Sequence, residues 1–291
     1  MSERTQSPFI VLLYASSFSA TAVLSRSVLD SGADVLALVT FRNLAIAIIL
    51  FLYLQTSGKP WTLRPRERNI ALAIGLVQCA NSYAINKALQ LIPVPLAILI
   101  YYVYPVLTSI VSWVIKDEPF TRRGAAGLAL GFAGLSIALG APAADANLEG
   151  VAYALAGSVA WTAVLVLTRR YLPGTDSRAP TLYMMLSSGA LLLALAALSQ
   201  ELRLPQAVPG WLALAGVPLA FAYALINLFD ASARFGAGQT AFFMNFDPIA
   251  TVILSALVLG QVLAPMQFVG GALVIASLVL FRPPARAIPA G

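Results

Sequence analysis

The sequence predicts an all-α integral membrane protein, with ten transmembrane helices arranged as two inverted five-helix repeats. Three observations carry this expectation. The chain is apolar along nearly its whole length, its basic residues fall in alternate loops, and its second half repeats the first at a nearly constant offset.

Composition comes first. Of the 291 residues, 59% are hydrophobic and only 10% charged, and the mean hydropathy is +0.84. Soluble domains carry about a quarter charged residues, so a chain of this length and composition reads as polytopic. There is one cysteine, Cys79, and no histidine. That excludes an internal disulfide framework, Cys/His zinc sites, Ser-His triads and histidine proton relays. Neither a G-x-S-x-G nucleophile elbow nor a G-x-x-x-x-G-K-[ST] phosphate loop is present. An enzyme is therefore not expected, ATP does not drive the chain directly, and no cofactor or metal is called for. The net charge of +6 does not point to nucleic acid, because the basic residues follow membrane topology.

A bilayer-crossing helix needs about 20 mostly apolar residues. Such runs lie at about 8–28, 34–54, 69–89, 94–116, 124–140, 150–171, 180–198, 209–231, 238–259 and 265–281. They leave only short loops. Ala20-Thr21-Ala22 resembles a signal-peptidase site. The apolar run continues past it and has a counterpart in the second half, so the first span is expected to be retained.

Of the 18 Lys and Arg, 14 fall on one side: Arg4; Lys59, Arg64, Arg66 and Arg68; Lys116, Arg122 and Arg123; Arg169, Arg170 and Arg178; Arg234; Arg282 and Arg286. The alternate loops hold only Arg203, while Arg26, Arg42 and Lys87 lie within spans. The bias places both termini in the cytoplasm.

The repeat is visible at an offset of 143, where Pro105 meets Pro248, Thr108 meets Thr251, Ser112 meets Ser255 and Gly127 meets Gly270. At an offset of 141, TAVL at 21–24 meets TAVL at 162–165. The units are 1–145 and 146–291. Five spans is an odd number, so the units enter the membrane with opposite orientation. In many secondary transporters the site lies near the midplane at such a repeat interface.

The stretch 83–139, YAINKALQLIPVPLAILIYYVYPVLTSIVSWVIKDEPFTRRGAAGLALGFAGLSIAL, resembles the drug/metabolite transporter superfamily, EamA type. The resemblance rests on Ala-Leu at the end of span 3, a short turn, a mid-span proline in span 4, an acid at its cytoplasmic end and a Gly-rich span 5. FDPIATVILSALVLGQ and FVGGALVIASLVL repeat the pattern in the second half. One departure is Gln261, where span 4 has Glu118. Within the superfamily the chain is most similar to the YddG-type exporters of aromatic amino acids. The resemblance implies a multi-pass protein of a bacterial-type inner membrane, acting as a monomer or weak dimer. It would move amino acids or similar amphipathic metabolites by alternating access. Another metabolite or drug on the same fold is the alternative, and a channel or scaffold is the non-carrier alternative.

Polar groups inside spans are costly and tend to face an interior cavity. Span 4 offers Tyr101, Pro105, Thr108 and Ser112 on one helical face. Other stripes are Gln78, Ser82 and Asn86, with Asn81, Tyr83 and Lys87 beside them; Tyr223, Asn227 and Asp230; Tyr14, Ser17 and Thr21; and Ser158, Trp161 and Thr162. The competing reading for any single Ser or Thr is interhelical hydrogen bonding. Tyr101, Tyr102 and Tyr104 lie about 7–10 residues into their span, on the order of 10–15 Å deep, too deep for an interfacial aromatic belt.

Arg42 is a candidate partner for a substrate carboxylate, or else a structural partner of a carbonyl or of Asp34. Lys87 is a second candidate for the carboxylate. Tyr101, Tyr102 and Trp161 would stack on a flat side chain. Asp247, or Asn227 and Asn245, would address the amine; the alternatives for Asp247 are to carry a proton as a raised-pKa acid or to cap the helix broken at Pro248. Asn81 and Tyr83 complete the expected substrate-binding set. Pro105 and Pro248 are read as a matched pair, either hinges or fixed kinks. Asp230 has Arg234 at i+4 as a local partner, and Arg26 is expected to snorkel. Gly127 and Gly131 form a small-xxx-small pair that fits internal packing or a dimer equally.

Overall fold

The protein's structure, a computed structural model, describes residues 8–115, 126–127, 129–131, 133–134, 137, 147–172, 176–199, 202–235, 247–261 and 264–280. Among these there is helix and loop but no strand. The helices are α1 (Pro8–Asp30), α2 (Val35–Thr56), α3 (Pro65–Leu91), α4 (Val94–Tyr101), α5 (Tyr104–Val114), α6 (Leu148–Tyr171), α7 (Arg178–Ser199), α8 (Val208–Phe235), α9 (Asp247–Leu259) and α10 (Pro265–Leu280). Four stretches are long and apolar enough to cross a bilayer: Val35–Thr56, Leu148–Tyr171, Arg178–Ser199 and Val208–Asn227. The span expected at 124–140 is described only in pieces.

Local chemistry sets the helix ends. The Asp34 carboxylate caps α2, with the Ala37 amide donating to Oδ1 at 2.6 Å. Asn147 caps α6 by accepting from the amides of Glu149 and Gly150. Both are strong N-cap residues because a short side-chain acceptor satisfies an amide that the first turn leaves unpaired. At the end of α9 the chain turns through Gly260 at φ 65°, a left-handed conformation that costs glycine little. The Gln261 amide then bonds back to the Ser255 carbonyl.

Span 4 is broken. α4 ends at Tyr101 and α5 begins at Tyr104, with Tyr102 and Val103 in a turn between them. Proline has no amide hydrogen and its ring crowds the carbonyl four residues back, which here belongs to Tyr101. The chain answers by tightening: the Val103 amide reaches the Ile100 carbonyl, three residues back rather than four, at 3.1 Å. The sequence reading of one continuous helical face at 101–112 is corrected by this break. The equivalent stretch before Pro248, 236–246, lies outside the described residues, so the matched kink is described on one side only.

The packing pairs follow the repeat. α3 packs on α6 and α1 on α8; α4 and α5 pack on α6, and α9 on α1; α3 packs on α7 and α2 on α8. α2 and α7 meet directly, as do α4 and α9. Exchanging each helix with its counterpart five spans away maps this set onto itself. Close approaches use glycine: a Cβ on Gly75 would overlap Ser187 and sit 2.6 Å from the Met184 carbonyl, and one on Gly134 would sit 2.7 Å from the Gly270 carbonyl. Gly131 lies against Ser277 and Val106. The small face of span 5 at Gly131 and Gly134 is therefore filled from within the chain. Leu198, Leu212, Leu219 and Leu257 lie on the exterior, the apolar surface a lipid environment requires.

Candidate functional site

Helices α1 to α8 and the first turn of α9 surround a cavity of about 310 Å³. Its size and its mostly apolar wall with a few polar groups are typical of small-molecule sites. The break in span 4 shapes one wall. In an unbroken helix Tyr101 and Tyr102 would point about 100° apart. Here Tyr101, Tyr102 and Tyr104 all line the cavity, together with Trp161. The Tyr101–Tyr104 and Tyr102–Tyr104 ring centroids are each 5.6 Å apart, and Trp161 meets Tyr104 edge to face at 6.5 Å. Phe18 and Phe221, crossing edge to face at 5.5 Å, also line the cavity.

Arg42 is only 7% exposed and lines the cavity. Its Nε–H donates to Asn43 Oδ1 at 3.2 Å, and its guanidinium carbon stands 5.9 Å from the Phe221 ring centroid, a cation–π distance. It pairs with no carboxylate among the described residues. Asp34, considered as its partner from sequence, is instead occupied: its Oδ1 caps α2, and its Oδ2 accepts from the Arg203 amide.

Asp247 is 8% exposed and stands in the first turn of α9. Its Oδ1 accepts from the Ser19 hydroxyl at 2.5 Å and its Oδ2 from the Tyr102 hydroxyl at 2.6 Å. Both donors are neutral, and no cation pairs with it among the described residues. The positive end of the helix dipole adds to the stabilisation of the carboxylate.

A hydrogen-bonded chain joins the polar groups. Asn43 donates to Ser82 on α3 and to Ser188 on α7, and Gln78 donates to Ser82. Asn81 donates to Gln78, and the Tyr101 hydroxyl donates to Asn81.

Several expected site residues fall elsewhere, for a shared geometrical reason. The cavity face of α3 carries Gln78, Asn81, Ile85, Asn86 and Leu89. Tyr83 and Lys87, four apart, share a different face. Tyr83 crosses Tyr153 edge to face at 6.2 Å, and the Lys87 ammonium donates to Gln90 at 2.9 Å. On α8 the cavity residues are Phe221 and Leu225. Two positions further on, about 200° round the helix, Tyr223 is exposed on the exterior, and Asn227 donates to the Tyr223 carbonyl. Tyr83, Lys87 and Asn227 thus do not line the cavity. Asn245, and the side chains of Tyr14, Ser112, Asp230 and Arg234, lie outside the described residues. Thr108 and Thr162 share the Tyr104 carbonyl as acceptor and join α5 to α6. Arg26 bonds Asp30 and the carbonyls of Leu89 and Gln90.

A broken helix beside a buried, charge-bearing cavity inside a bundle of apolar helices defines a membrane protein that handles a small solute. The chain matches the EamA-like transporter family over residues 7–140 and again over 148–282, and it belongs to that family, with two repeated domains. No curated protein matches it. One crystal structure of a protein superposes with a TM-score of 0.64 at 19% identity, covering 92% of this chain and 95% of that one. At that identity the likeness shows the fold alone. The protein is therefore a multi-pass membrane transporter of small solutes.

Proposed function

We propose that the chain is a secondary transporter that exports aromatic and other amino acids by alternating access through the central cavity. One observation carries the reading: Arg42 and Asp247, opposite charges that no described residue neutralises, line the same aromatic-walled cavity. A zwitterion is complementary to such a pair. Its carboxylate would meet the guanidinium, its ammonium the carboxylate, and a flat side chain the wall of Tyr101, Tyr102, Tyr104 and Trp161. Sugar phosphates fit poorly, because Arg42 is the one basic group among the described lining residues.

The contacts at one end of the bundle support alternating access. The Asp34 amide donates to the Arg203 carbonyl at 3.0 Å, the Arg203 amide donates to the Asp34 carboxylate at 3.0 Å, and the Gln206 amide donates to the Ser31 carbonyl at 2.9 Å. The α1–α2 and α7–α8 turns are thereby tied together. The Val94 amide at the start of α4 donates to Gln261 at 2.9 Å. With ten spans, inverted halves and both termini in the cytoplasm of a bacterial-type inner membrane, this is the outer end, and the contacts form a closed outer seal. The transporter would work as a monomer or weak dimer.

Counterflow of radiolabelled phenylalanine into liposomes holding the purified protein tests the reading. Saturable uptake that tryptophan blocks and a sugar phosphate does not is the expected result. Uptake blocked by the sugar phosphate, or no uptake by folded protein, would overturn the substrate assignment.

A further inference from the structure

We propose that Asn43 is the positioning residue for the carboxylate end of the solute, holding Arg42 so that its terminal edge faces the cavity. The inference rests on the reading of the cavity as an amino-acid site and adds to it the residue that sets its selectivity.

The Asn43 side chain is fully enclosed and uses both ends. Its Oδ1 accepts from Arg42 Nε–H at 3.2 Å, and its Nδ2 donates to Ser82 Oγ at 3.1 Å and to Ser188 Oγ at 2.7 Å. The orientation of the amide is forced. Turned over, it would set an N–H donor against the Arg42 Nε–H donor. The two serines are themselves fully buried, on α3 of the first half and α7 of the second. Asn43 is thus clamped from both repeats, and it clamps Arg42 in turn.

This fixes what Arg42 can offer. With Nε engaged and the Phe221 ring 5.9 Å from the guanidinium carbon, the two Nη groups remain without a hydrogen-bond partner among the described residues. They form the edge that binds a carboxylate through two parallel hydrogen bonds. Through Ser82, Gln78 and Asn81 the same anchor reaches the Tyr101 hydroxyl. The carboxylate end and the aromatic wall are thereby held in one frame. A long guanidinium without its side bond has several rotamers at similar energy, and the entropy of fixing it would fall on solute binding.

The test compares phenylalanine with phenylalaninamide, which keeps the ring and the amine but lacks the carboxylate. Half-saturation concentrations for counterflow are measured on the wild type, Asn43→Ala and Asn43→Asp. The wild type is expected to prefer phenylalanine. Asn43→Ala is expected to lower that preference by about tenfold, through half-saturation rather than maximal rate, in keeping with loss of one charge-assisted hydrogen bond. Asn43→Asp is isosteric and keeps the serine hydroxyls as partners. It places a carboxylate on Arg42 that competes with the solute, so it too lowers the preference. Should Asn43→Ala fail to fold, Asn43→Asp decides. Wild-type preference retained in the folded variant would overturn the positioning role while leaving the amino-acid reading intact. A wild type with no preference for phenylalanine would instead overturn the Arg42–carboxylate reading itself, and the inference with it.

Discussion

Tyr102 donates its phenolic hydrogen to Asp247 Oδ2 at 2.6 Å. This bond joins the broken point of span 4 to the first turn of α9. Both residues stand just ahead of a matched proline, Tyr102 before Pro105 and Asp247 before Pro248. The contact between the halves therefore runs from the irregular point of span 4 to the helical turn that carries Pro248. The bond also shows how the buried carboxylate is tolerated without a cation: two neutral hydroxyls and a helix N-terminus share the task.

Tyr102→Phe keeps the ring and removes that donor, leaving Asp247 with Ser19 alone. It is expected to reduce transport and to lower the melting temperature, by a loss of about 1–3 kcal/mol for an imperfectly paired buried carboxylate. Tyr101→Ala or Tyr102→Ala should weaken transport with normal membrane insertion. Unchanged counterflow kinetics in both alanine variants would remove the stacking role.

Arg42→Ala removes the single basic group found on the described wall. Half-saturation for phenylalanine is expected to rise on the order of 10- to 100-fold, as for loss of a hydrogen-bonded charge partner worth about 1.5–3 kcal/mol. Arg42→Lys should restore little, since an ammonium does not reproduce the planar fork. Full rescue by lysine, measured by the same counterflow assay, would point to charge alone.

Pro105→Ala returns an amide hydrogen to the Tyr101 carbonyl and permits α4 and α5 to join. A fall in transport is expected, because a straightened helix turns Tyr102 away from Asp247; the roughly 1 kcal/mol of the regained backbone bond is offset by the loss of about 1–3 kcal/mol at the buried carboxylate, so thermal stability is not expected to rise. A variant with unchanged transport and a higher melting temperature would show that the break is dispensable for transport.

Cysteines placed at Ser31 and Gln206, in a chain with Cys79→Ala, should form a disulfide across the proposed outer seal. The two backbones are already hydrogen-bonded there, within the separation a disulfide spans. Oxidation is expected to stop counterflow and a reductant to restore it. Undiminished flux through the oxidised protein would contradict an outer gate at this seam.

Much of this was legible in the sequence, and the rest was hidden for identifiable reasons. Arg42 and Asp247 declared themselves because a charge in an apolar span is costly. The tyrosines of span 4 did so by their depth. Periodicity could group Gln78 with Asn86, but it could not say which face of α3 met the cavity, so Tyr83 and Lys87 entered the expectation with their neighbours. The same grouping on α8 brought in Asn227, which does not line the cavity. Phe18 and Phe221 carried no signal, since phenylalanine in a membrane span is unremarkable until its neighbours are known. Asn43 did carry one, as an amide in mid-span, but its role emerges only when Ser82 and Ser188 come together from separate helices. Pro105 announced a kink. That the kink would open the helix over two residues and turn three tyrosines into one wall is a consequence of packing.

The central claim is that Arg42 and Asp247 bind the two ends of one zwitterion. The most direct measurement is competition against labelled phenylalanine by 3-phenylpropionate, which lacks the amine, and by 2-phenylethylamine, which lacks the carboxylate, in wild type, Arg42→Ala and Asp247→Asn. In the wild type both analogues should compete more weakly than phenylalanine itself. Arg42→Ala should abolish the disadvantage of the amine, and Asp247→Asn that of the carboxylate. Analogues that compete as well as phenylalanine in the wild type, or variants that leave both disadvantages in place, would contradict the claim.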